Sequence, residues 1–236
     1  MKEELSFKKG IKDGVPIALG YLAVSFAFGV SVASKGLKWF ISLFMSMTNL
    51  TSAGQFAGAT VILAFGTVFE LILTQLVINA RYFLMSLSLS QKLDGSFTFF
   101  DRLLYAFGIT DEIFAVAISQ KANVTKKYMS GLILLPWIGW SSGTLLGSLA
   151  GNLLPAIVVN SLSIALYSMF IAIVIPAGLY DKKVFVVALI SVALSCAFYY
   201  LPLLNQVSSG LAYIICAVVS ALIGAIFFPV KGEENG

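Results

Sequence analysis

The sequence predicts an all-α polytopic membrane protein with about seven to eight transmembrane segments, two of them broken helices. Hydropathy, the spacing of charges and the placement of basic residues carry that prediction. Of 236 residues, 59% are hydrophobic and 11% charged, with mean hydropathy +0.95; a soluble domain is nearer half apolar and a quarter charged. A surface facing water needs charge, so this composition excludes a soluble enzyme, a disordered chain and a nucleic-acid module. The net charge is +4, but the basic residues lie in short connections and not in one patch. They speak for membrane topology rather than phosphate binding. The chain has no His, which removes His-based metal sites, Ser-His-Asp chemistry and a histidine proton relay. No metal, cofactor or catalytic residue is expected. Cys196 and Cys216 lie in apolar runs and read as small buried hydrophobes.

A helix needs about 20 apolar residues to cross a bilayer core of about 30 Å. Residues 14–34 carry no charge, and neither do residues 39–69. Residues 71–91 carry only Arg81. The uncharged stretch Tyr128–Tyr180 is long enough for two spans, with a break at Pro155 after Gly151-Asn152. The runs 184–203 and 207–229 complete the set, joined through Pro202-Leu203-Leu204-Asn205. Ser31-Val32-Ala33 mimics a cleavage site, but the run before it is long for a signal peptide, so no cleavage is expected. Trp39, Trp137 and Tyr199-Tyr200 are expected at span ends as interface anchors. Gly139, Gly143 and Gly147 form a small-residue ridge suited to close helix packing.

Residues 101–120 contain Asp111 and Glu112, and an isolated helix pays roughly 2.5–3.5 kcal/mol or more for a mid-membrane charge. The positive-inside rule nevertheless favours a traverse. With the N-terminal tail inside, a crossing at 101–120 places Lys2, Lys8, Lys9, Lys12, Lys121, Lys126, Lys127, Lys182, Lys183 and Lys231 inside. Only Lys35, Lys38, Lys92 and Arg102 then lie outside. The segment is therefore expected to cross, shielded from lipid by protein or water.

Charges within membrane segments are candidate functional residues because they are costly there. Glu70 sits near a span end and is expected to reach the interface. Arg81 sits mid-run, cannot deprotonate and needs an anion, either Asp111, Glu112 or a substrate carboxylate. Asp111 and Glu112 are the only credible proton carriers at depth in a chain without His. Gly108 and Thr110 before them suggest a broken helix. Asn49, Thr51, Ser52, Gly54 and Gln55 interrupt the run 39–69 in the same way. TSAGQFA (51–57) and ITDEIFA (109–115) share a Phe-Ala end and a hydroxyl four residues before the Phe. They suggest tandem units, 14–65 and 67–121, followed by C-terminal spans 128–229 within one membrane domain over 1–236.

These motifs resemble the AzlC family of branched-chain amino acid permeases, the large subunit of a two-component bacterial exporter. The resemblance rests on Gly14-Val-Pro16-Ile, Gly20-Tyr21 and Phe28-Gly29; on Ala53-Gly54-Gln55-Phe56; on Asn79-Ala-Arg81-Tyr82 with Leu84-Met85; and on Thr110-Asp111-Glu112 with Phe114-Ala115. It covers about residues 8–150. The family usually shows His where this chain has Tyr82. The resemblance implies export of valine, leucine or isoleucine across the cytoplasmic membrane, with a small membrane partner of the AzlD type. The residues are compatible with that chemistry. Arg81 with Asn79, or the break holding Ser52 and Gln55, offers a carboxylate site; Asp111 or Glu112 offers a place for an ammonium or a driving proton; Phe56 and Phe114 offer an apolar lining. The alternative is a channel or scaffold subunit whose buried charges are structural.

Overall fold

The computed structural model describes residues 5–151 and 181–228, and between them residues 153–155, 157, 158, 161, 171, 174, 175, 178 and 179. The described helices are α1 (Phe7–Ser34), α2 (Trp39–Thr48), α3 (Ser52–Leu63), α4 (Val68–Ser90), α5 (Phe99–Ala106), α6 (Asp111–Ile118), α7 (Lys126–Ala150), α8 (Lys182–Tyr200) and α9 (Ser209–Phe227). By length and composition α1, α4, α7, α8 and the stretch Gly210–Phe227 of α9 are candidate membrane spans. Most of residues 151–180, where a further span was expected, lie outside the described residues. The chain divides into two compact units, Met1–Phe56 with Asn79–Leu166, and Ala57–Ile78 with Tyr167–Gly236.

The first unit is built on α1 and α7, which run parallel. Gly10 faces Tyr128 and Leu132, Gly139 faces Ala18, Gly143 faces Leu22, and Gly147 faces Phe26. A Cβ at Gly143 or Gly147 would come under 3.0 Å from the α1 backbone. The ridge expected from the glycine spacing is therefore the seam on which the two helices meet. Thr125 caps α7 through the Tyr128 amide at 3.2 Å and donates its hydroxyl to the Leu5 carbonyl, tying both N-termini to one end of the unit.

The segment 101–120 does not traverse, contrary to the expectation from charge counting. It folds into α5 and α6, each of 8 residues and about 12 Å long, too short to cross. Lys92 O accepts from the Val124 amide at 2.8 Å, and the Asp94 amide donates to Val124 O at 3.0 Å. The chain thus enters and leaves the hairpin at one end. The Lys92 ammonium closes the mouth on the Ile118 carbonyl, and Lys126 pairs with Asp101. Asp101 also completes a capping box with Thr98. Lys126 and Thr98 together hold its carboxyl down to about 2. The stability this latch lends is present above the ordinary carboxylate range and fades as pH falls toward that value.

The hairpin changes the topology without losing the charge asymmetry. Lys92, Arg102, Lys121, Lys126 and Lys127 share the end that holds Lys8, Lys9 and Lys12, while Lys35 and Lys38 follow the other end of α1. The count that favoured a crossing treated 39–69 as one traverse as well. The chain instead breaks at residues 49–51 into α2 and α3, as the polar interruption suggested. α2 descends along α7, with Ser46 bonded to Thr144 at 2.6 Å and Met47 O accepting from Trp137 at 3.0 Å. Trp137 therefore lies mid-helix and holds the α2 tip; it is not the interface anchor expected of it.

In the second unit, α8 and α9 pack on each other, with Gly224 against Val187. Glu70 lies in the first turn of α4, near a span end as expected, with its side chain covered by protein. It completes a capping box with Thr67 (2.8 and 3.1 Å) and accepts from Ser208 at the start of α9. Cys216 is buried as expected, but Cys196 is exposed on α8.

Gly143→Ala should destabilise the protein by about 1–3 kcal/mol, since neither backbone can give way. Gly20→Ala, with nothing within 4 Å, should stabilise it by up to about 1 kcal/mol. Thermal unfolding in detergent checks both. In a Cys196→Ser, Cys216→Ala background, Gln91→Cys and Lys121→Cys should react with a membrane-impermeant thiol reagent from one face, and Lys35→Cys from the other. Labelling of positions 91 and 121 from opposite faces would rule out the hairpin.

Candidate functional site

Polar side chains of α1, α3, α4, α6 and α7 meet halfway along α1 and α7, at two tips: the α2–α3 break at residues 49–51 and the hairpin turn before α6. At the second tip Thr110 caps α6 by accepting the Ile113 amide at 3.3 Å, so Asp111 and Glu112 occupy its first turn. Helix N-termini carry unpaired N–H groups and a positive dipole end, which favour carboxylates there. The turn of the hairpin lets a helix begin at this depth.

Arg81, near the middle of α4, reaches the first carboxylate, with Nη2 2.9 Å from Asp111 Oδ2. The same nitrogen donates to the Tyr82 hydroxyl at 3.3 Å, and the guanidinium lies 5.0 Å from the centre of the Tyr82 ring. The Arg81 and Asp111 side chains are 49% and 48% exposed, so a ligand can reach both members of the pair. Glu112 turns to α1, where the Tyr21 hydroxyl lies 2.5 Å from its Oε2 and 2.6 Å from Thr110 Oγ1. A phenol has one proton. Given to an ionised Glu112, it leaves the Tyr21 oxygen to accept from Thr110.

The first tip has a different character. Asn49 Oδ1 accepts the Thr51 amide at 3.1 Å and the Thr51 hydroxyl at 3.0 Å, and α3 begins at Ser52. Gln55 is fully buried. It accepts from the Trp140 indole at 2.7 Å and donates to Ser46 at 2.5 Å. The Tyr21 and Trp140 rings meet edge to face, 5.4 Å apart, so the two tips communicate through this aromatic pair.

The sequence-derived candidates therefore separate into groups. Arg81 and Asp111 are joined directly, and Glu112 joins them through α6. Gln55 belongs to the buried Trp140 network, Phe56 packs edge to face on Phe28 at 4.8 Å, and Phe114 packs against the core cluster. Ser52 and Asn79 are partly buried, Asn79 two residues before Arg81. Tyr21, Thr110 and Trp140 carry contacts for which sequence reasoning assigned no role. Tyr21 had a signal, since it lies in the Gly20-Tyr21 motif, but nothing local names its partner 91 residues away.

The profile of the family described as AzlC protein matches residues 16–154. The chain belongs to the AzlC family. The matched region includes both tips, Arg81 and all of α7. The chain is 28% identical to the inner membrane protein YgaZ of Escherichia coli, covering 94% of this chain and 92% of that one. It is 29% identical to an uncharacterized membrane protein of Archaeoglobus fulgidus, over 99% of both chains. It is also 28% identical to the branched-chain amino acid transport protein AzlC of Bacillus subtilis, over 75% of this chain and 70% of that one. No solved structure matches the chain.

Tyr21→Phe should remove the only hydroxyl that Glu112 shares with α1 among the described contacts. It should destabilise the protein by about 1.5–3 kcal/mol, the range for a hydrogen bond to a charged group. Thermal unfolding of the detergent-solubilised protein measures the loss.

Proposed function

We propose that this AzlC-family protein is a secondary transporter that exports branched-chain amino acids across the cytoplasmic membrane, with its N-terminus in the cytoplasm. The Arg81–Asp111 pair carries the reading. It presents, half exposed and at mid-span height, the two charges that a zwitterion needs. A substrate carboxylate that takes Arg81 displaces Asp111, and the substrate ammonium takes the carboxylate so freed. The exchange replaces one ion pair with two, so neither Arg81 nor Asp111 is left without a partner when substrate is bound. The transport protein from Bacillus subtilis supports the substrate class. The basic residues gathered at the α1 N-terminal end support the orientation.

Glu112 is the proposed carrier of a driving proton, with Asp111 as its neighbour in the exchange. Asn79 and Ser52 complete the proposed polar lining, and Phe56 and Phe114 the apolar one. Gln55 would act by holding the first tip on Trp140. The two tips are proposed to belong to tandem units, 14–65 and 67–121. Each pairs a long helix with two short helices meeting at a polar tip, the plan many transporters use around a central site. A small partner of the AzlD type enters the proposal through the family resemblance alone.

Purified protein in liposomes should exchange internal leucine for labelled external leucine. Arg81→Gln should lower that counterflow about tenfold or more, through loss of the charge-assisted contact to the substrate carboxylate. Glu112→Gln should keep counterflow and lose proton-driven accumulation. The scaffold reading predicts instead that exchanging the partners, Arg81→Asp with Asp111→Arg, restores everything that either single change removes. Full rescue by that double variant would end the direct-binding proposal.

A further inference from the structure

A cavity of about 220 Å³ lies in the first unit between the C-terminal half of α4, α5 and the first turn of α7. Its walls include Phe83, Leu87, Leu93, Ile109 and Met129, and Arg102 lines it as well. It is smaller than the roughly 300–1,000 Å³ of drug-sized ligand sites, which suits a small occupant. Ser90, Leu93 and Arg102 belong to the mouth of the hairpin, while Ile109 immediately precedes Thr110 and Asp111 at its tip. The cavity thus extends from the basic end of the unit toward the central pair.

Arg102 is the chemically informative wall. Its Nη1 donates to the Ser90 carbonyl at 3.2 Å and to the Ser90 hydroxyl, both uncharged. Among the described residues no carboxylate pairs with it, and the adjacent Asp101 is held by Lys126. A guanidinium has five N–H donors, so Arg102 keeps donors for a planar anion. No acidic side chain lines the cavity. The Tyr105 hydroxyl, also in the wall, is already bonded to Ser130 at 2.6 Å.

We propose that this cavity is a second ligand site, a vestibule that binds a small carboxylate with a branched aliphatic tail, its carboxylate on Arg102 and its tail among Phe83, Leu87, Leu93 and Ile109. It differs from the central site in one chemical respect: its lining holds no carboxylate for an ammonium group. The vestibule reads the carboxylate and the apolar side chain, and the Arg81–Asp111 pair reads the zwitterion. The inference deepens the transport reading by adding a waiting position for the same substrate class, and its test does not depend on transport.

The probe is labelled 4-methylpentanoate, which carries the carboxylate and side chain of leucine without its ammonium. Binding to the full-length protein in detergent is measured by equilibrium dialysis, with 4-methylpentan-1-ol as the uncharged competitor. The wild-type protein should bind the acid, and the alcohol should not displace it. Arg102→Gln should weaken binding about tenfold or more. Arg102→Lys should weaken it less, and Ala106→Trp, which fills the cavity, should abolish it. Lys35→Gln, beyond the other end of α1, should leave it unchanged, and Arg81→Gln should leave the Arg102-dependent share of binding in place. Thermal unfolding of each variant separates loss of binding from loss of fold. Equal binding by wild type and Arg102→Gln, or loss in Arg81→Gln alone, would overturn the vestibule. So would Arg102-dependent retention of phosphatidylglycerol without binding of the short acid, which would make the cavity a lipid site. If leucine is not transported but the acid still binds through Arg102, the transport proposal fails and the vestibule stands.

Discussion

Carboxylates at mid-membrane depth need a cation or hydrogen-bond donors where water is scarce, and the first turn of α6 supplies their setting. Arg81 answers Asp111, Tyr21 answers Glu112, and the open N-terminus of α6 faces both. The requirement shapes the backbone as well as the side chains. A helix N-terminus can sit at this height only where a helix starts there, and here the chain turns back on itself to start one. The Lys92–Val124 backbone bonds and the Lys126–Asp101 pair close the loop behind it. Every backbone group that such a hairpin bares must be covered by protein, and α1 and α7 provide that cover.

The α1–α7 seam makes this possible. Glycine on both helices lets the backbones approach more closely than any side chain would allow, which fixes their relative height. That height brings Tyr21 level with the α6 tip and Trp140 level with the α3 tip. Trp140 contacts Gln55 on one side and the Tyr21 ring on the other. A shift of α1 against α7 would be felt at both tips.

Tyr82 gives the site a character of its own. The family resemblance suggests His at this position, a group that titrates near neutral pH. Here a phenol accepts from Arg81 and lies beside its guanidinium. It can steady the cation, but it offers no proton in the physiological range. Any proton-coupling role proposed for this chain therefore falls to the carboxylates at the α6 tip, which Tyr21 and Thr110 contact.

Hydropathy determined, without any structure, that this is a helical membrane protein, and the rarity of charge within its apolar runs singled out Arg81, Asp111 and Glu112 as candidates. Local signals also located both tips, because small and polar residues in an apolar run cannot be continued as lipid-facing helix. The glycine ridge was legible for the same local reason, since its spacing is a property of one helix. What the sequence left open was everything decided between distant segments. The uncharged length suggested a crossing at 39–69 and the count of basic residues one at 101–120; neither could reveal that 101–120 returns to the end it leaves. Only backbone pairing between residues 92–94 and 124 revealed a hairpin. The sequence named three candidate anions for Arg81, and tertiary structure chose Asp111. It placed Gln55 in the lining and Trp137 at the interface, and the fold carried both inward to hold the first tip. Periodicity and charge are read along the chain, whereas hydrogen-bond partners are set by which helices share a height, and that was decided by close packing on the glycine seam.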